Sequence, residues 1–232
     1  MTHCFEDRHR SWLYDRRFPL GKEPSQRLTG TFRKAEAMAR PREFDEPTVI
    51  ATARDVFWAN GYAGTSIDAI GAATGLGKGS LYGAFGGKRG IFGRAFDQYC
   101  TDAVEAAARA LTGSDQGAVE RLRLYVESGA SASGGSVQRG CLIAKSVAEL
   151  AQHDADVGLR AREAYASIER YLTTTIEAAQ RHGALNADGD ARALAQTLLA
   201  LQRGIEALGK AGTPVMTPAI VDIVLTSFQQ ST

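Results

Sequence analysis

From Asp45 onward, apolar residues recur every three or four positions. Val49, Ile50, Ala53, Val56, Phe57 and Ala59 form one stripe, the pattern of an amphipathic helix. Asp45 and Glu46 favour its N-terminal end, Pro47 is tolerated in its first turn, and Gly61 suits a left-handed stop. Thr65 then reads as the N-cap of a second helix carrying Ile67, Ile70 and Ala73 and stopping at Gly75. A third short helix holds Leu81, Tyr82 and Phe85. After Gly86-Gly87, a longer one runs from about Lys88 to Leu111 with Ile91, Phe92, Ala95, Phe96, Tyr99 and Val104 inward. Beyond Gly113 the same period predicts helices near 117–132, 137–152, 155–182, 188–210 and 217–229, separated by breaks containing Gly, Asp or Pro. No run of alternating β-branched residues competes with them. The expected fold is all-α: an N-terminal three-helix helix-turn-helix domain followed by a C-terminal helical bundle.

Two short helices with glycine at the turn and apolar residues on both sides make residues 65–85 a helix-turn-helix. Ile67, Ile70, Leu76, Leu81 and Phe85 would fix the angle between its helices, leaving Lys78, Gly79, Ser80, Tyr82 and Gly83 outward. Gly79 and Gly83 each cost a helix about 1 kcal/mol relative to Ala, and close approach of the backbone to DNA is a reason to keep them. Gly75-Leu76-Gly77-Lys78-Gly79-Ser80 imitates a phosphate loop. However, the Walker spacing would need glycine at 72, which is Ala72, and a hydroxyl at 79, and no strand precedes it.

With this much in place, residues 45–96 resemble the DNA-binding domain of the TetR family of bacterial transcriptional regulators. The resemblance rests on Ala53, Phe57, Gly61, Thr65, Ile70, Ala73, Gly75, Lys78, Gly79, Leu81, Tyr82, Phe85, Lys88 and Phe92. It implies that the third helix reads bases in the major groove through Lys78, Gly79, Ser80, Tyr82 and Gly83. Thr65, with Ser66, and Lys88 would grip phosphates at two helix N-termini, and Arg42 would add an arm contact. Two positions depart from the pattern: Gly77 stands where a serine cap is usual, and Gly83-Ala84 replaces a larger pair. The resemblance also implies that the last two helices form a dimer interface, with Leu194, Leu198, Leu201, Ile205, Ile220, Val224 and Phe228 on its apolar stripes. A small-molecule effector would lie between the remaining helices, near Tyr99, Cys100, Tyr125, Cys141, Lys145, Tyr165, Ile168 and Leu172. Gly140-Cys141-Leu142 looks like a subset of such regulators, some of which sense electrophiles through a cysteine. A thiol at a helix start with Lys145 one turn on fits that chemistry.

Composition narrows the alternatives. The 232 residues carry a net charge of only +1, but it is unevenly spread. Ten Lys and Arg face six Asp and Glu in residues 1–44, five face five in 45–98, and twelve face fifteen in 99–232. A basic front and an acidic remainder orient a protein towards a polyanion. Residues 1–40 lack periodicity and read as a poorly ordered basic extension, within which Met38 reads as an alternative translation start. Residues 41–92 are then the DNA-binding domain and 93–232 the effector-binding and dimerisation domain. Three widely spaced cysteines, Cys4, Cys100 and Cys141, suit neither a disulfide framework nor a metal pair. With no secretory signal and no apolar run long enough to span a bilayer, a cytoplasmic location is expected. Cys141 and His153 sit at opposite ends of one predicted helix and cannot form a catalytic pair, and no nucleophile elbow or metal motif appears. The expected function is therefore that of a homodimeric, ligand-responsive repressor on a palindromic operator, with no cofactor, metal or catalytic residue. The alternatives are an architectural DNA-binding protein without sequence preference and, last, a soluble enzyme.

Overall fold

The first helix, α1 (Glu46–Asn60), starts where the Asp45 carboxylate accepts the Thr48 N–H at 3.0 Å and stops at Gly61 with φ +76°. A computed structural model describes residues 44–129 and 139–229 of the chain, so Arg42, Cys4 and the expected N-terminal extension lie outside the described residues. α2 (Ile67–Thr74) and α3 (Lys78–Phe85) follow, joined by Gly75 in the left-handed conformation. The cap of α2 is Ser66, not Thr65: Ser66 Oγ accepts the Ala69 N–H at 3.0 Å. Thr65 is buried one residue earlier, its hydroxyl donating to Gly61 O at 2.7 Å and its N–H to Tyr62 O at 3.2 Å. A β-branched side chain fits the inner wall of that turn, which moves the capping role to the next hydroxyl.

α4 (Lys88–Leu111) begins after Gly87. A single 3-10 turn (Asp115–Gly117) leads into α5 (Ala118–Ser128). α6 (Leu142–Leu150) starts later than its apolar pattern suggested, because Gly140 holds φ +66° and cannot be helical. α7 (Ala155–Arg181) is capped by Asp154, α8 (Ala191–Lys210) by Asp190, and α9 (Thr217–Ser227) opens on Pro218 in its first turn. Among the described residues the fold comprises nine α-helices and no strand. None of these helices is long and apolar enough to cross a membrane.

Two apolar cores share α4 and α7 as their common spine. The first joins α1 to α4 and draws in Cys141, Leu142 and Ile143 from α6 and its start, and Val157, Ala161 and Ala164 from α7. Its centre is aromatic: Phe57 meets Phe92 edge-on at 5.2 Å, Tyr62 meets Phe92 at 5.0 Å, and Phe92 stacks on Phe96 at 5.6 Å. Each fully buried ring contributes roughly 1.5–3 kcal/mol by leaving water. The second core is built from α5, α8, α9 and the C-terminal halves of α4 and α7. Helices α1 and α3 thus pack on α4, and the C-terminal end of α1 is bonded to α6.

Candidate nucleic-acid interface

Two glycines set the shape of the helix-turn-helix. A Cβ on Gly71 would lie 2.8 Å from Leu76 O, so only glycine lets α2 run this close to the turn. Gly87, with φ +110°, makes room for the ring of Tyr82, whose Cε1 would lie 3.0 Å from a Cβ there. Leu81 and Phe85 anchor α3 in the core. On the other face of α3, Lys78, Gly79, Tyr82 and Gly83 are exposed and Ser80 is half-buried. Nothing stands within 4 Å of a Cβ built on Gly79 or Gly83, so no contact inside the protein requires glycine there. Gly77 caps α3 without a side-chain hydrogen bond, and the Ser80 N–H turns back to Gly77 O at 3.0 Å.

Charge on this face is partly internal. Lys78 Nζ lies 2.8 Å from Asp68 Oδ1 on α2, and that hydrogen bond holds the ammonium's pKa above its ordinary value. Lys88 stands at the start of α4 with its ammonium 4.3 Å from the centre of the Tyr62 ring. Ser66 is exposed beside the N-terminus of α2. Thr65 offers neither its hydroxyl nor its N–H to a phosphate, since both are bonded within the turn.

The C-terminal end of α1 and the turn after it are held by two side chains of α6. Lys145 Nζ donates to Trp58 O at 3.0 Å and Ala59 O at 3.2 Å, a cation on the negative end of a helix. Glu149 accepts the next two N–H groups, from Tyr62 at 2.9 Å and Ala63 at 2.6 Å. Trp58 Nε1 donates to Gly140 O at 2.7 Å just before α6, and its ring meets Tyr99 edge-on at 5.0 Å. Burial, with Lys210 nearby, lowers the Lys145 pKa. The ammonium expected to face Cys141 is therefore committed to backbone carbonyls of α1.

α6 also lines a cavity of about 510 Å³ facing α8, with Cys141 at its head and Arg203, Glu206 and Lys210 opposite. An adjoining recess of about 490 Å³ lies between α6 and α8, past Tyr165 and Leu199. Of the residues expected around an effector, Cys141 and Lys145 line the cavity and Tyr165 lines the recess. Burial raises the pKa of Tyr99, Tyr125 (to about 12) and Tyr165, so all three remain phenols. Tyr99, Cys100, Tyr125, Ile168 and Leu172 line neither space. Cys100 is fully buried with its thiol pushed up to about 12, and Ile168 and Leu172 lie in the second core. Arg203 and Glu206 went unnoticed in the sequence because α8 was read for its leucines. The signal was there, in two charged residues one turn apart beside Gln202 within an apolar stripe.

That stripe also faces differently than expected. Leu194, Leu198 and Ile205 are 1%, 0% and 2% exposed within a single chain, and Leu201, Val224 and Phe228 pack against the same core. Leu194, Leu198 and Ile205 are thus covered within the chain itself, whereas Leu201, Ile220, Val224 and Phe228 are half-buried. Away from that cavity, α8 exposes Gly204 and Leu208, and Ile223 of α9 is 70% exposed.

Comparison with known proteins agrees with this geometry. Residues 49–95 match the family model described as bacterial regulatory proteins, tetR family, and residues 118–213 match the tetracyclin repressor-like C-terminal domain. The HTH-type transcriptional repressor ComR of Escherichia coli K12 is 26% identical over 179 residues, 76% of this chain and 85% of ComR. The uncharacterized HTH-type transcriptional regulator YezE of Bacillus subtilis is 29% identical over 163 residues, 69% of this chain and 84% of YezE. Among solved structures, a TetR family regulator from Cytophaga hutchinsonii covers 81% of this chain and 95% of its own, with a TM-score of 0.63 at 25% identity. The TetR family regulator CifR, solved as a cysteine mutant complexed with 26-bp double-strand operator DNA, covers 82% of this chain and all of its own. Its TM-score is 0.62 at 29% identity.

Proposed function

As the chain belongs to the TetR family of bacterial regulatory proteins, and so is a sequence-specific DNA-binding transcriptional regulator, we propose that it acts as a homodimeric repressor which a small molecule lifts from a palindromic operator. The family points to regulation rather than to an enzyme's chemistry. It would work in the cytoplasm, where the DNA is.

The observation that carries the reading is the bare, outward face of α3 held rigidly on a buried core. Lys78 is the side chain with the reach to bond a guanine edge, and Ser80 and Tyr82 flank it. Gly79 and Gly83 let the helix backbone come close. Ser66 and Lys88 take phosphates on either side, with Ser66 replacing Thr65 in that role. Two copies would set their α3 helices about 34–36 Å apart to meet successive major grooves.

Response to an effector follows from α6. This helix lines the α6–α8 cavity, and two residues of that same lining, Lys145 and Glu149, hold α1 and its turn. A ligand that shifts α6 would move the α3 helices of a dimer apart or together, and its affinity difference between the two arrangements sets how far the operator is released. Cys141, at the head of the cavity, is a second entry point through which an electrophile would act on the same helix.

The decisive test is selection of bound sequences from a random DNA pool by the purified protein. A two-fold symmetric consensus is expected. A pool without enrichment, bound equally well at fixed salt, would overturn the reading.

A further inference from the structure

We propose that the α6–α8 cavity is an organic-anion site, in which Arg203 and Lys210 hold a carboxylate while the adjoining recess takes its apolar body. The proposal rests on reading the protein as an effector-responsive regulator and adds the chemical class of the effector.

Five charged side chains line the cavity: Lys145, Arg203 and Lys210 against Glu149 and Glu206. Lys145 and Glu149 are already bonded to the α1 end and the turn beyond it. What remains for a ligand is Arg203 and Lys210 against the single carboxylate of Glu206, an excess of positive charge. Lys210 has no ion-pair partner among the described residues. Its stem leans on Gly140, where a Cβ would come within 3.1 Å of Lys210 Cδ.

Arg203 is poorly matched as it stands. Its Nη2 donates to Gln202 Oε1 at 2.7 Å, and its Nη1 lies 3.1 Å from Glu206 Oε2. That approach is close enough for ion pairing but misaligned: Glu206 Oε2 has no hydrogen-bond partner, and neither does Arg203 Nε, although both atoms are buried. A buried pair with unsatisfied atoms recovers little of its desolvation cost, and unpaired buried polar atoms call for a reason. Burial raises the Glu206 pKa against the pull of Arg203, so Glu206 is a partner that gives way easily. An incoming carboxylate, paired at the same time by Lys210, is a better one.

The surroundings select the rest of the molecule. Ala144, Ala148 and Arg203 are shared between the cavity and the recess, so a carboxylate at Arg203 has an apolar space directly beside it. Val147 and Leu199 line that space, and Tyr165 closes it with a neutral phenol. Each volume lies within the range of small-ligand sites. A cation would meet Lys210 and Lys145 at the entrance, and a neutral molecule would leave Arg203 with its faulty partner. An aromatic or medium-chain carboxylate fits both ends.

The test uses matched acids and amides on the full-length protein: benzoate with benzamide, 4-phenylbutyrate with 4-phenylbutyramide, octanoate with octanamide. Thermal unfolding without DNA reads binding, and release of the selected operator reads response. At least one acid should raise the unfolding midpoint while its amide does not. Arg203→Gln should weaken that acid tenfold or more, and so should Lys210→Gln, a surface change that leaves the core intact. Equal binding of acid and amide, wild-type binding by both variants, or silence of every acid up to millimolar concentration would overturn the proposal. An acid that binds through Arg203 and Lys210 without releasing operator would uphold the anion site and sink the effector reading instead.

Discussion

The Lys78 ammonium, on the reading face of α3, is paired with Asp68 of α2 at 2.8 Å. The long cationic side chain of this face therefore has a competing anion of its own. Removing that anion in Asp68→Asn should raise affinity for all DNA several-fold and steepen its salt dependence, since one more cation becomes free to displace counterions. Lys78→Ala should instead cost roughly tenfold or more in discrimination between operator and single-base variants. Lys88→Ala should weaken all sites about equally. Fluorescence anisotropy over a salt series measures all three. A Lys78→Ala protein that keeps its base preference would remove Lys78 from the reading surface.

Three glycines around α3 separate folding from recognition. Gly79 and Gly83 are helical with open space around them, so Ala at either should stabilise the fold by about 0.5–1 kcal/mol. The added methyl would stand between the helix and DNA, so operator affinity should fall as stability rises. Gly87 is the opposite case: at φ +110° and ψ −170°, Ala should cost about 1–3 kcal/mol and displace Tyr82. Denaturant unfolding beside operator titration distinguishes them. Unchanged affinity in Gly79→Ala and Gly83→Ala would mean that the backbone does not approach the bases.

Between cavity and DNA-binding helices, the connection is electrostatic and local. Glu149 accepts two N–H groups at the α1–α2 turn, and hydrogen bonds to a charged group are worth about 1.5–3 kcal/mol. Glu149→Gln and Lys145→Met should each loosen the turn, lower operator affinity and shrink the difference in affinity that an effector produces. Measuring that difference with and without ligand tests the coupling, and a variant that retains it in full would place the transmission elsewhere.

How much of this was legible beforehand depends on how local each cause is. Asp45, Gly61, Gly75 and Gly86 act on their own turns, so the helices of the N-terminal half could be read directly. Thr65 and Ser66 could not be told apart, because either hydroxyl can cap α2 and only the packing of the turn buries the first. Lys145 and Trp58 are 87 positions apart, and nothing in the neighbourhood of either announces the contact. The stripe Leu194, Leu198 and Ile205 illustrates a deeper ambiguity. Helical period shows that a face is covered, but the covering surface can belong to the same chain or to another.

The two described cysteines should respond differently to a thiol reagent. Cys100 is fully buried and its thiol is pushed up to about 12. Its folded-state pKa lies above the unfolded one, so the stability it contributes is fully present below the unfolded value and is lost as pH rises towards 12. The slope is at most about 1.4 kcal/mol per pH unit. A Cys100→Ala protein should flatten the fall in unfolding free energy above the ordinary thiol range. At neutral pH an alkylating agent should leave Cys100 untouched, and release of DNA by that agent should vanish in Cys141→Ser. Mass spectrometry of the alkylated protein checks the first point. Release that survives in Cys141→Ser would end the electrophile reading.

The dimer surface is best tested by contrasting the two faces of α8. Leu198 is 0% exposed within one chain, so Leu198→Ala should cost about 2–5 kcal/mol of stability while leaving the association constant nearly unchanged. Gly204 lies on the opposite face with nothing within 4 Å of an added Cβ, so Gly204→Arg is tolerated by the isolated fold. In a second copy packed on Gly204 and Leu208, that arginine would stand where two helices need close contact. Sedimentation should show Gly204→Arg as a folded monomer with normal helicity, and its affinity for a two-fold symmetric site should collapse to that of a half-site. Should Gly204→Arg stay dimeric while Leu198→Ala dissociates, the inner stripe would be an interface after all, and the monomer core would have to rearrange on pairing.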